Sequence, residues 1–211
     1  MKAKIAVLVS GGGTNLQALL DGQRNGKIKS GEIAVVISNK SDAYGLRRAE
    51  DFSVPAYAVP RYGRAQAEFE NEILAILTRY ETDLVVLAGF LCVLSENFVR
   101  QFPRRIINVH PSLIPSFCGK GFYGLKVHEE ALARGVKVTG ATVHFVNEIA
   151  DGGEIICQKA VMVKKGDTPE TLQQRVMRQA EWVILPRAVE NVSKTIAKSK
   201  DKKDNNKHKI L

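Results

Sequence analysis

Short apolar runs alternate with helical patterns along the first half of this chain. Residues 4–9, 33–38 and 83–88 are apolar, mostly β-branched runs of strand length, and each is followed by a break and then by apolar residues at helical spacing. Alternating strands and helices favour a parallel sheet with helices on both faces. We therefore predict an α/β fold built on a Rossmann-like, mostly parallel twisted sheet.

The second half of the chain changes in character. Residues 139–146 and 154–163 predict two late strands, which we expect to form an antiparallel pair. Residues 167–189 predict one long C-terminal helix that begins with a threonine N-cap and a proline in its first position. Pro186 predicts a kink or break within that helix, because proline lacks the N–H that an internal turn requires.

The length of the chain favours one domain over residues 1–190, with two halves that meet at about residue 100. Residues 191–211 form a basic tail that we expect to be disordered, because its last part has almost no apolar residues. That tail carries about half of the net charge of +9. Because no aromatic residues alternate with its lysines, we expect no specific nucleic-acid partner.

The composition argues against several classes of protein. No run approaches the roughly eighteen apolar residues of a membrane span, and a glycine-rich turn after the first strand does not fit a signal peptide. The 3 cysteines are odd in number and form no Cys-X-X-Cys pair, so we expect neither a disulfide framework nor a metal site. We expect a cytoplasmic protein without a membrane partner, either a monomer or a homodimer.

Residues 10–15, Ser-Gly-Gly-Gly-Thr-Asn, join the first strand to the first helix. Glycines let the backbone approach an anion, and a helix N-terminus offers free N–H groups and a positive dipole. The dinucleotide fingerprint fails because Leu16 occupies its third glycine position, and the Gly-Lys-Ser/Thr ending of a nucleoside-triphosphate loop is missing. The alternatives are a phosphate-monoester site and a tight turn that binds nothing. Thr14 and Asn15 favour the phosphate, because their side chains add donors.

Asn108 and His110 lie two residues apart at the end of an apolar run. Alternate side chains of a strand share a face, so an amide and an imidazole would project together where open α/β sheets bind ligands. Asp151 lies in a glycine-flanked turn and would supply an acid–base partner, although a hairpin turn alone also explains an Asp-Gly pair. We expect His128 and His144 to be structural, with a supporting role possible for His144.

These motifs together resemble the phosphoribosylglycinamide (GAR) formyltransferase family. The similarity runs from residue 4 to about residue 189, and INVHPSL combined with ADGG is shared by enzymes that use formyltetrahydrofolate. The loop SGGGTN narrows the resemblance to the GAR formyltransferases. The motifs that carry it are, in chain order, IAVLVSGGGTNLQALL, VISNKSDAYGLRRA, DLVVLAGFLCVLS, INVHPSLIP, GATVHFVNEIADGGEIICQ and AEWVILP.

The resemblance implies transfer of a formyl group from 10-formyltetrahydrofolate to the amine of GAR, a step of purine biosynthesis. It assigns phosphate binding to the first half of the domain, and folate binding and catalysis to the second. The implied catalytic residues are Asn108, His110 and Asp151. The implied GAR contacts are Gly13, Thr14, Asn15 and Glu181. The implied folate contacts are Arg64, Leu91, Cys92, Val93, Leu94, Asn108, Asn147, Glu148, Ile149, Ala150 and Asp151.

The chain departs from the family pattern at a few positions. Cys92 replaces an arginine of some relatives, so its folate contact would be apolar or through the backbone. Thr14 stands where serine is common, which keeps the hydroxyl. Residues 116–128 form a longer loop than in the shortest relatives, so the ligand contacts of that loop do not carry over.

Four other interpretations stay open on the sequence. A formyltetrahydrofolate deformylase would ordinarily carry an N-terminal regulatory domain, and a methionyl-tRNA formyltransferase a C-terminal tRNA-binding domain, so both are less favoured. A sugar-amine formyltransferase would use the same chemistry. A nonenzymatic nucleotide-binding or RNA-binding module would require the predicted catalytic residues to be scattered structural ones.

Overall fold

The computed structural model describes residues 1–207. Its seven strands form one sheet in the order β3-β2-β1-β4-β5-β6-β7. The strands are β1 (Ala3–Val9), β2 (Gly31–Ser38), β3 (Ala56–Ala58), β4 (Leu84–Leu87), β5 (Ile106–His110), β6 (Val138–Phe145) and β7 (Ile155–Met162). The helices are α1 (Thr14–Arg24), α2 (Tyr44–Asp51), α3 (Gln66–Arg79), α4 (Glu96–Arg100), α5 (Leu125–Arg134), α6 (Pro169–Val176) and α7 (Trp182–Lys207), with a π-helical turn (Met177–Glu181) between α6 and α7.

The sheet is parallel from β3 to β5 and antiparallel from β5 to β7. This arrangement confirms the predicted mostly parallel sheet with a late antiparallel pair. Strand order reverses beside β1, which has β2 on one side and β4 on the other. The carboxyl ends of strands at such a switch point open a crevice in which α/β proteins bind ligands. The ends of β1 and β4 therefore mark the place to look for a site.

Helices cover both faces of the sheet, as predicted. Along β1, Val7 packs in a cluster with Leu185 of α7, whereas Leu8 packs in a second cluster with Ile73 of α3. Successive strand residues point to opposite faces, so one apolar strand contributes to two separate cores. All four side chains are fully buried. Over the described residues, none of the helices combines the length and the apolar character needed to cross a membrane.

The prediction of a disordered tail over residues 191–211 is wrong for most of that segment, because α7 continues to Lys207. Ser193 and Ile196 are buried and extend the buried face of α7 by about two further turns. The end of the helix is tied to two other parts of the chain: the Met1 ammonium lies 2.7 Å from Asp201, and the Lys200 ammonium lies 2.5 Å from Asp83, just before β4. The rest of that prediction, residues 208–211, lies outside the described part of the chain.

The predicted single helix over residues 167–189 is instead two helices joined by the π-helical turn. Its start is as predicted: the Thr168 hydroxyl accepts a hydrogen bond from the Thr171 N–H, and Pro169 follows in the first helical position. The interruption was predicted at Pro186, but that residue lies within α7, and the irregularity comes one turn earlier. A π turn of this kind redirects side chains along a helix, and such turns are frequent at functional sites.

Candidate active site

The loop after β1 lies at the switch point and is held from two sides. The Ser10 N–H donates to the Gly89 carbonyl, and the Ser10 hydroxyl accepts from the Leu91 N–H, which joins the loop to the end of β4. On the other side, Gly13 has φ +68 and approaches α2 so closely that a Cβ there would lie 2.7 Å from Gly45 Cα. The backbone at Gly13 therefore requires glycine for both its conformation and its packing.

Arg48 of α2 also supports this loop. Its Nε donates to the Gly12 carbonyl at 2.7 Å, and its Nη1 donates to Gln17 at 2.8 Å. The guanidinium thus satisfies one carbonyl of the loop. Helix α1 begins immediately after Gly13, and the first N–H groups of a helix have no partner within the helix. The loop thus has the geometry of an anion site in which backbone donors do most of the binding.

Asn15 and Glu181 form a buried polar contact between α1 and the π-helical turn. The Asn15 amide donates to a Glu181 carboxylate oxygen at 2.6 Å. Burial raises the pKa of Glu181 above its ordinary value, and the Asn15 hydrogen bond only partly offsets this effect. The Thr14 hydroxyl lies 3.8 Å from the sulfur of Met177 in the same turn. Asn15 therefore contacts Glu181 although 166 positions separate the two residues in the chain.

Asn108 and His110 lie at the carboxyl end of β5, and Asp151 reaches them from the turn before β7. His110 Nδ1 lies 3.5 Å from Asp151 Oδ2. His110 Nε2 lies 2.8 Å from the Phe117 carbonyl, which can only accept, so Nε2 carries a proton. Protonation of the ring therefore takes place at Nδ1, the nitrogen that faces the carboxylate.

His144 of β6 joins the same cluster and was not predicted as a member of it. Its Nδ1 donates to the Phe145 carbonyl at 2.8 Å, so in the neutral ring Nε2 accepts from the Asn108 amide at 3.2 Å. The same Nε2 lies 3.6 Å from Asp151 Oδ1. His144 therefore contacts two of the three predicted catalytic side chains. His144 lies opposite Asn108 in the β5–β6 pair. Knowledge of this strand register would have identified it as a member of the cluster.

The turn that carries Asp151 has little freedom. Asp151 itself has φ +54, a left-handed conformation that Asp tolerates better than most residues. A Cβ at Gly153 would lie 1.7 Å from the Phe145 carbonyl oxygen, and one at Gly152 would lie 2.6 Å from Ile149. The Asp-Gly-Gly sequence is therefore required for the turn to pass close to the end of β6 and to direct the carboxylate inward.

The Asp151 carboxylate is half-buried and surrounded by donors. Burial opposes its ionisation, but the nearby His144 and His110 imidazoles and the Gly119 N–H together hold its pKa below the usual value. The Gly119 N–H lies 2.8 Å from Oδ2. Asp151 is consequently an anion that can accept a proton from a substrate and keep its partners oriented.

A cavity of about 160 Å³ opens beside this cluster between the end of β4 and the turn before β7. Its wall is apolar at the inner end, with Leu87, Phe90 and Val146, and polar where Asn108, His144 and Asp151 enter. His110 is buried behind Asp151 and does not line the cavity itself. Of the predicted folate residues, the structure brings nine to its wall: Cys92, Val93, Leu94, Asn108, Asn147, Glu148, Ile149, Ala150 and Asp151.

A second, more open groove of about 420 Å³ runs along α1 and touches residues 10–15, called the anion loop below, only at Thr14. Its other walls come from α2 and α7, and it contains none of Asn108, His110, His144 and Asp151, which are called the Asn108 cluster below. Of these two cavities, only the smaller one combines an amide, an imidazole and a carboxylate in its wall. Among the described residues, no group of three or more His, Cys, Asp and Glu side chains could hold a metal ion.

A comparison with protein-family models matches residues 3–189 to the family described as formyl transferase. The chain belongs to the formyl transferase family. The match covers both the anion loop and the Asn108 cluster, so the two regions described above are parts of one family domain.

Individual relatives agree with this family. The chain is 46% identical over 193 residues to a trifunctional purine biosynthetic protein of Bos taurus, covering 91% of this chain but only 18% of that protein. It is 41% identical over 184 residues to the phosphoribosylglycinamide formyltransferase of Haemophilus influenzae, covering 87% of this chain and 84% of that protein. A crystal structure of glycinamide ribonucleotide transformylase 1 from Symbiobacterium toebii superposes with a TM-score of 0.86 at 43% identity, covering 92% of this chain and 89% of that chain.

Two predicted folate residues of this formyl transferase lie outside the cavity wall. The Arg64 guanidinium pairs with Glu72 of α3 at 2.7 Å. The Leu91 side chain is 59% exposed, and its backbone N–H is the group that holds Ser10. Their folate contacts stay predictions, because the structure brings neither side chain to the wall. No local sequence pattern at Arg64 or Leu91 distinguishes a folate-binding residue from the residues beside it.

Proposed function

We propose that this protein transfers the formyl group of 10-formyltetrahydrofolate to the amine of GAR, giving formylglycinamide ribonucleotide and tetrahydrofolate in purine biosynthesis. The observation that carries the proposal is the approach of Asp151 to His110, 3.5 Å between carboxylate and imidazole, beside Asn108 and at the edge of a cavity. The family match and the names of the relatives supply the reaction class. The geometry of the site supports the roles that we propose for the residues.

In this proposal GAR binds between the anion loop and Glu181. The phosphate contacts the N–H groups at Gly13, Thr14 and Asn15, where a helix N-terminus favours negative charge. Glu181 lies next to Asn15 and receives the ribose or the glycinamide part. A carboxyl group whose pKa is raised by burial gains most from a hydrogen-bonding or cationic ligand, because the ligand replaces solvation that burial has removed.

The folate occupies the cavity of about 160 Å³ and extends beyond it over the exposed apolar rim. Val93 and Ile149 are 83% and 63% exposed on either side of the opening. Large exposed apolar side chains that border a pocket are typical of a ligand-binding groove. We propose that these residues cover the ring system of the donor and thereby place its formyl group near Asn108.

The chemistry requires a neutral amine. Its nitrogen forms a bond to the formyl carbon, and the resulting tetrahedral intermediate carries an oxyanion. The Asn108 amide has a second N–H besides the one directed at His144, and this N–H stabilises the oxyanion. We propose that His110 acts through Asp151, because its Nδ1 faces that carboxylate at 3.5 Å and the ring does not itself line the cavity.

Collapse of the intermediate breaks the bond between the formyl carbon and the folate nitrogen. A proton must leave the attacking nitrogen, and one must reach the departing folate nitrogen. We propose Asp151 as the base for both transfers, because its carboxylate lines the cavity and is held ionised by its surroundings. Proton transfer through Asp151, directly or through one water, balances the reaction without a metal or a redox cofactor.

The proposal also includes the compartment, the oligomeric state and the partners of the enzyme. Both substrates are small molecules, and we propose that the enzyme acts in the cytoplasm as a monomer or a homodimer without a specific nucleic-acid partner. The two unpaired thiols that lie near the site, Cys92 and Cys118, are consistent with a reducing compartment.

The direct test mixes purified protein with GAR and 10-formyltetrahydrofolate and follows tetrahydrofolate and formylglycinamide ribonucleotide together. We expect the two products to form in equal amounts and only when GAR is present. Tetrahydrofolate that forms at the same rate without GAR identifies a deformylase instead. Faster turnover of an amino-sugar acceptor than of GAR identifies a sugar-amine formyltransferase, and RNA binding without turnover identifies a binding module.

A variant sharpens this test on the GAR side. Glu181→Gln keeps the shape of the side chain and its contact with Asn15, but it removes the charge. We expect a KM for GAR that is higher by about tenfold and a KM for the folate that is nearly unchanged, since Glu181 does not line the folate cavity. An equal rise in both KM values contradicts the assignment of Glu181 to GAR.

A further inference from the structure

The loop between β5 and α5 contacts both His110 and Asp151 through its backbone. The Phe117 carbonyl accepts from His110 Nε2, and the Gly119 N–H donates to Asp151 at 2.8 Å. Both loop residues have positive φ, +50 at Phe117 and +86 at Gly119. A backbone in this conformation stays in place only when the surrounding structure determines it. The contacts that determine it lie at the root of the loop.

Thr142 of β6 is fully buried at that root, and its hydroxyl uses its whole hydrogen-bonding capacity. It donates to the Ser112 carbonyl at 2.7 Å and accepts from the Ile114 N–H at 3.1 Å. It also accepts from the Gln158 amide at 3.0 Å. A hydroxyl has one proton and two lone pairs, so three partners satisfy it completely.

Gln158 of β7 completes the arrangement. Its amide donates to Thr142 and also to the Ile114 carbonyl at 3.0 Å, so both of its protons are used. His110, Thr142 and Gln158 are directly opposite one another across β5, β6 and β7. Residues opposite one another in antiparallel strands point to the same face. One row across three strands therefore connects the imidazole to the root of the loop that returns to it.

Packing at the root agrees with these hydrogen bonds. The Leu113 side chain lies over Gly140, where an added Cβ would be 2.9 Å from the leucine methyl and 2.1 Å from the Lys159 carbonyl. The Ser116 N–H then donates to the Leu113 carbonyl at 3.0 Å, and the Ser112 hydroxyl donates to the Ser116 carbonyl. Residues 112–116 thus form a closed turn. Its first part is hydrogen-bonded to Thr142, and its last residue comes directly before Phe117.

We infer that Thr142 and Gln158 are positioning residues for the reaction. They touch neither His110 nor Asp151, and they act by fixing the turn of residues 112–116, which places the Phe117 carbonyl on the imidazole and the Gly119 N–H on the carboxylate. This inference rests on the proposed function for its kinetic consequences. Its structural part, that one threonine hydroxyl fixes the loop, can be measured without any substrate.

The kinetic experiment compares three variants of the protein. Thr142→Val keeps the size of the side chain and removes the hydroxyl, whereas Thr142→Ser keeps the hydroxyl. Thr139→Val is the matched control, because Thr139 is a buried threonine of the same strand whose hydroxyl has no hydrogen-bond partner among the described residues. We expect Thr142→Val to lower kcat by roughly ten- to a hundredfold with little change in either KM, since a small misplacement of catalytic groups has effects of this size.

The pH profile separates positioning from a general loss of structure. The Gly119 N–H is one of the groups that lower the pKa of Asp151, so releasing the loop raises that pKa. We expect the acidic limb of the rate profile to move to higher pH in Thr142→Val, and to stay in place in Thr142→Ser and Thr139→Val. A fall in kcat that is equal in Thr142→Val and Thr142→Ser, or an unmoved acidic limb, overturns the inference.

Limited trypsin digestion measures the loop directly. Lys120 is exposed and is the single lysine or arginine between Arg105 and Lys126, so cleavage there reports on the loop alone. We expect Thr142→Val to be cleaved at Lys120 at least tenfold faster than the other proteins at equal thermal stability. Equal cleavage in Thr142→Val and Thr139→Val overturns the inference. If the native protein has no formyltransferase activity, the proposed function fails, and this digestion still decides the role of Thr142.

Discussion

The anion loop and the Asn108 cluster lie at the same edge of the sheet but are built in opposite ways. The loop is one continuous stretch, residues 10–15, and offers mainly backbone groups at the start of α1. The cluster takes Asn108 and His110 from β5, His144 from β6 and Asp151 from a turn, and it offers side chains. The difference predicts where each region is sensitive. Side-chain chemistry decides the function of the cluster, whereas backbone conformation decides that of the loop.

The largest effect is expected at Asp151. Asp151→Asn is nearly isosteric but removes the charge and the base, so we expect kcat to fall by about a thousandfold or more, within the range found for general acid–base groups. The measurement is kcat with both substrates saturating. Asp167→Asn is the matched control, because Asp167 is also a carboxylate of low pKa, about 2, held by Arg175 far from the cavity.

Asp167→Asn is expected to lower stability and to leave kcat unchanged, since Asp167 supports only the start of α6. If both Asn variants lower kcat equally, loss of structure explains the result, and the role of Asp151 as the base is wrong.

The next effect is expected at Asn108. Asn108→Ala removes the amide N–H that we assign to the oxyanion, and loss of one such donor typically lowers kcat by roughly a hundred- to a thousandfold. The KM for the folate should change little, because Asn108 supplies only one of many contacts in the cavity wall. An unchanged turnover number would refute the assignment. Binding of the folate, measured by titration calorimetry, separates lost chemistry from a lost site.

The third prediction concerns the stability of the protein around the cluster. His128 of α5 is completely buried, and neither ring nitrogen has a hydrogen-bond partner among the described residues. Burial lowers its pKa to about 4, and the nearby His110 acts in the same direction. The unfolded chain takes up this proton near pH 6.5 but the folded protein only near pH 4, so stability falls as the pH falls through this window.

The difference corresponds to roughly 3 kcal/mol of free energy of unfolding. His128→Leu should lose this pH dependence, and urea titrations at pH 6.5, 5.5 and 4.5 measure it. If the free energy of unfolding falls equally with pH in the native protein and in His128→Leu, a group other than His128 causes the pH dependence. The anion loop holds no such group, so substitutions there should lower stability equally at each of these pH values.

The same contrast explains how much of the site could be predicted from the sequence. The anion loop is contiguous, so its glycines and its place after a strand could be seen directly. Asn108 and His110 could be paired because strand periodicity is local. His144 could not be added, since its place depends on the β5–β6 register, and no local pattern fixes which residue of β6 lies opposite Asn108.

The fold shows the same limit. Thr168 and Pro169 mark the start of α6 by local chemistry alone and were predicted correctly. The extension of α7 to Lys207 was missed, because charge in residues 194–207 suggests disorder, whereas tertiary contacts stabilise a helix. Ile196 is buried against the sheet layer and Lys200 pairs with Asp83, 117 positions away. Propensity is a weak guide where packing of this kind decides the structure.

The smallest effect is expected in the anion loop, at Gly13. Gly13→Ala adds one carbon to a residue with φ +68, 2.7 Å from the backbone of Gly45, and a left-handed conformation costs an L-residue about 1–2 kcal/mol. We expect the free energy of unfolding to fall by about that amount or slightly more. Gly11→Ala is the matched control, because its Cβ would meet no atom within 4 Å. If the two alanines are equally tolerated in thermal melts, the loop is held by its side chains, and the contrast with the Asn108 cluster fails.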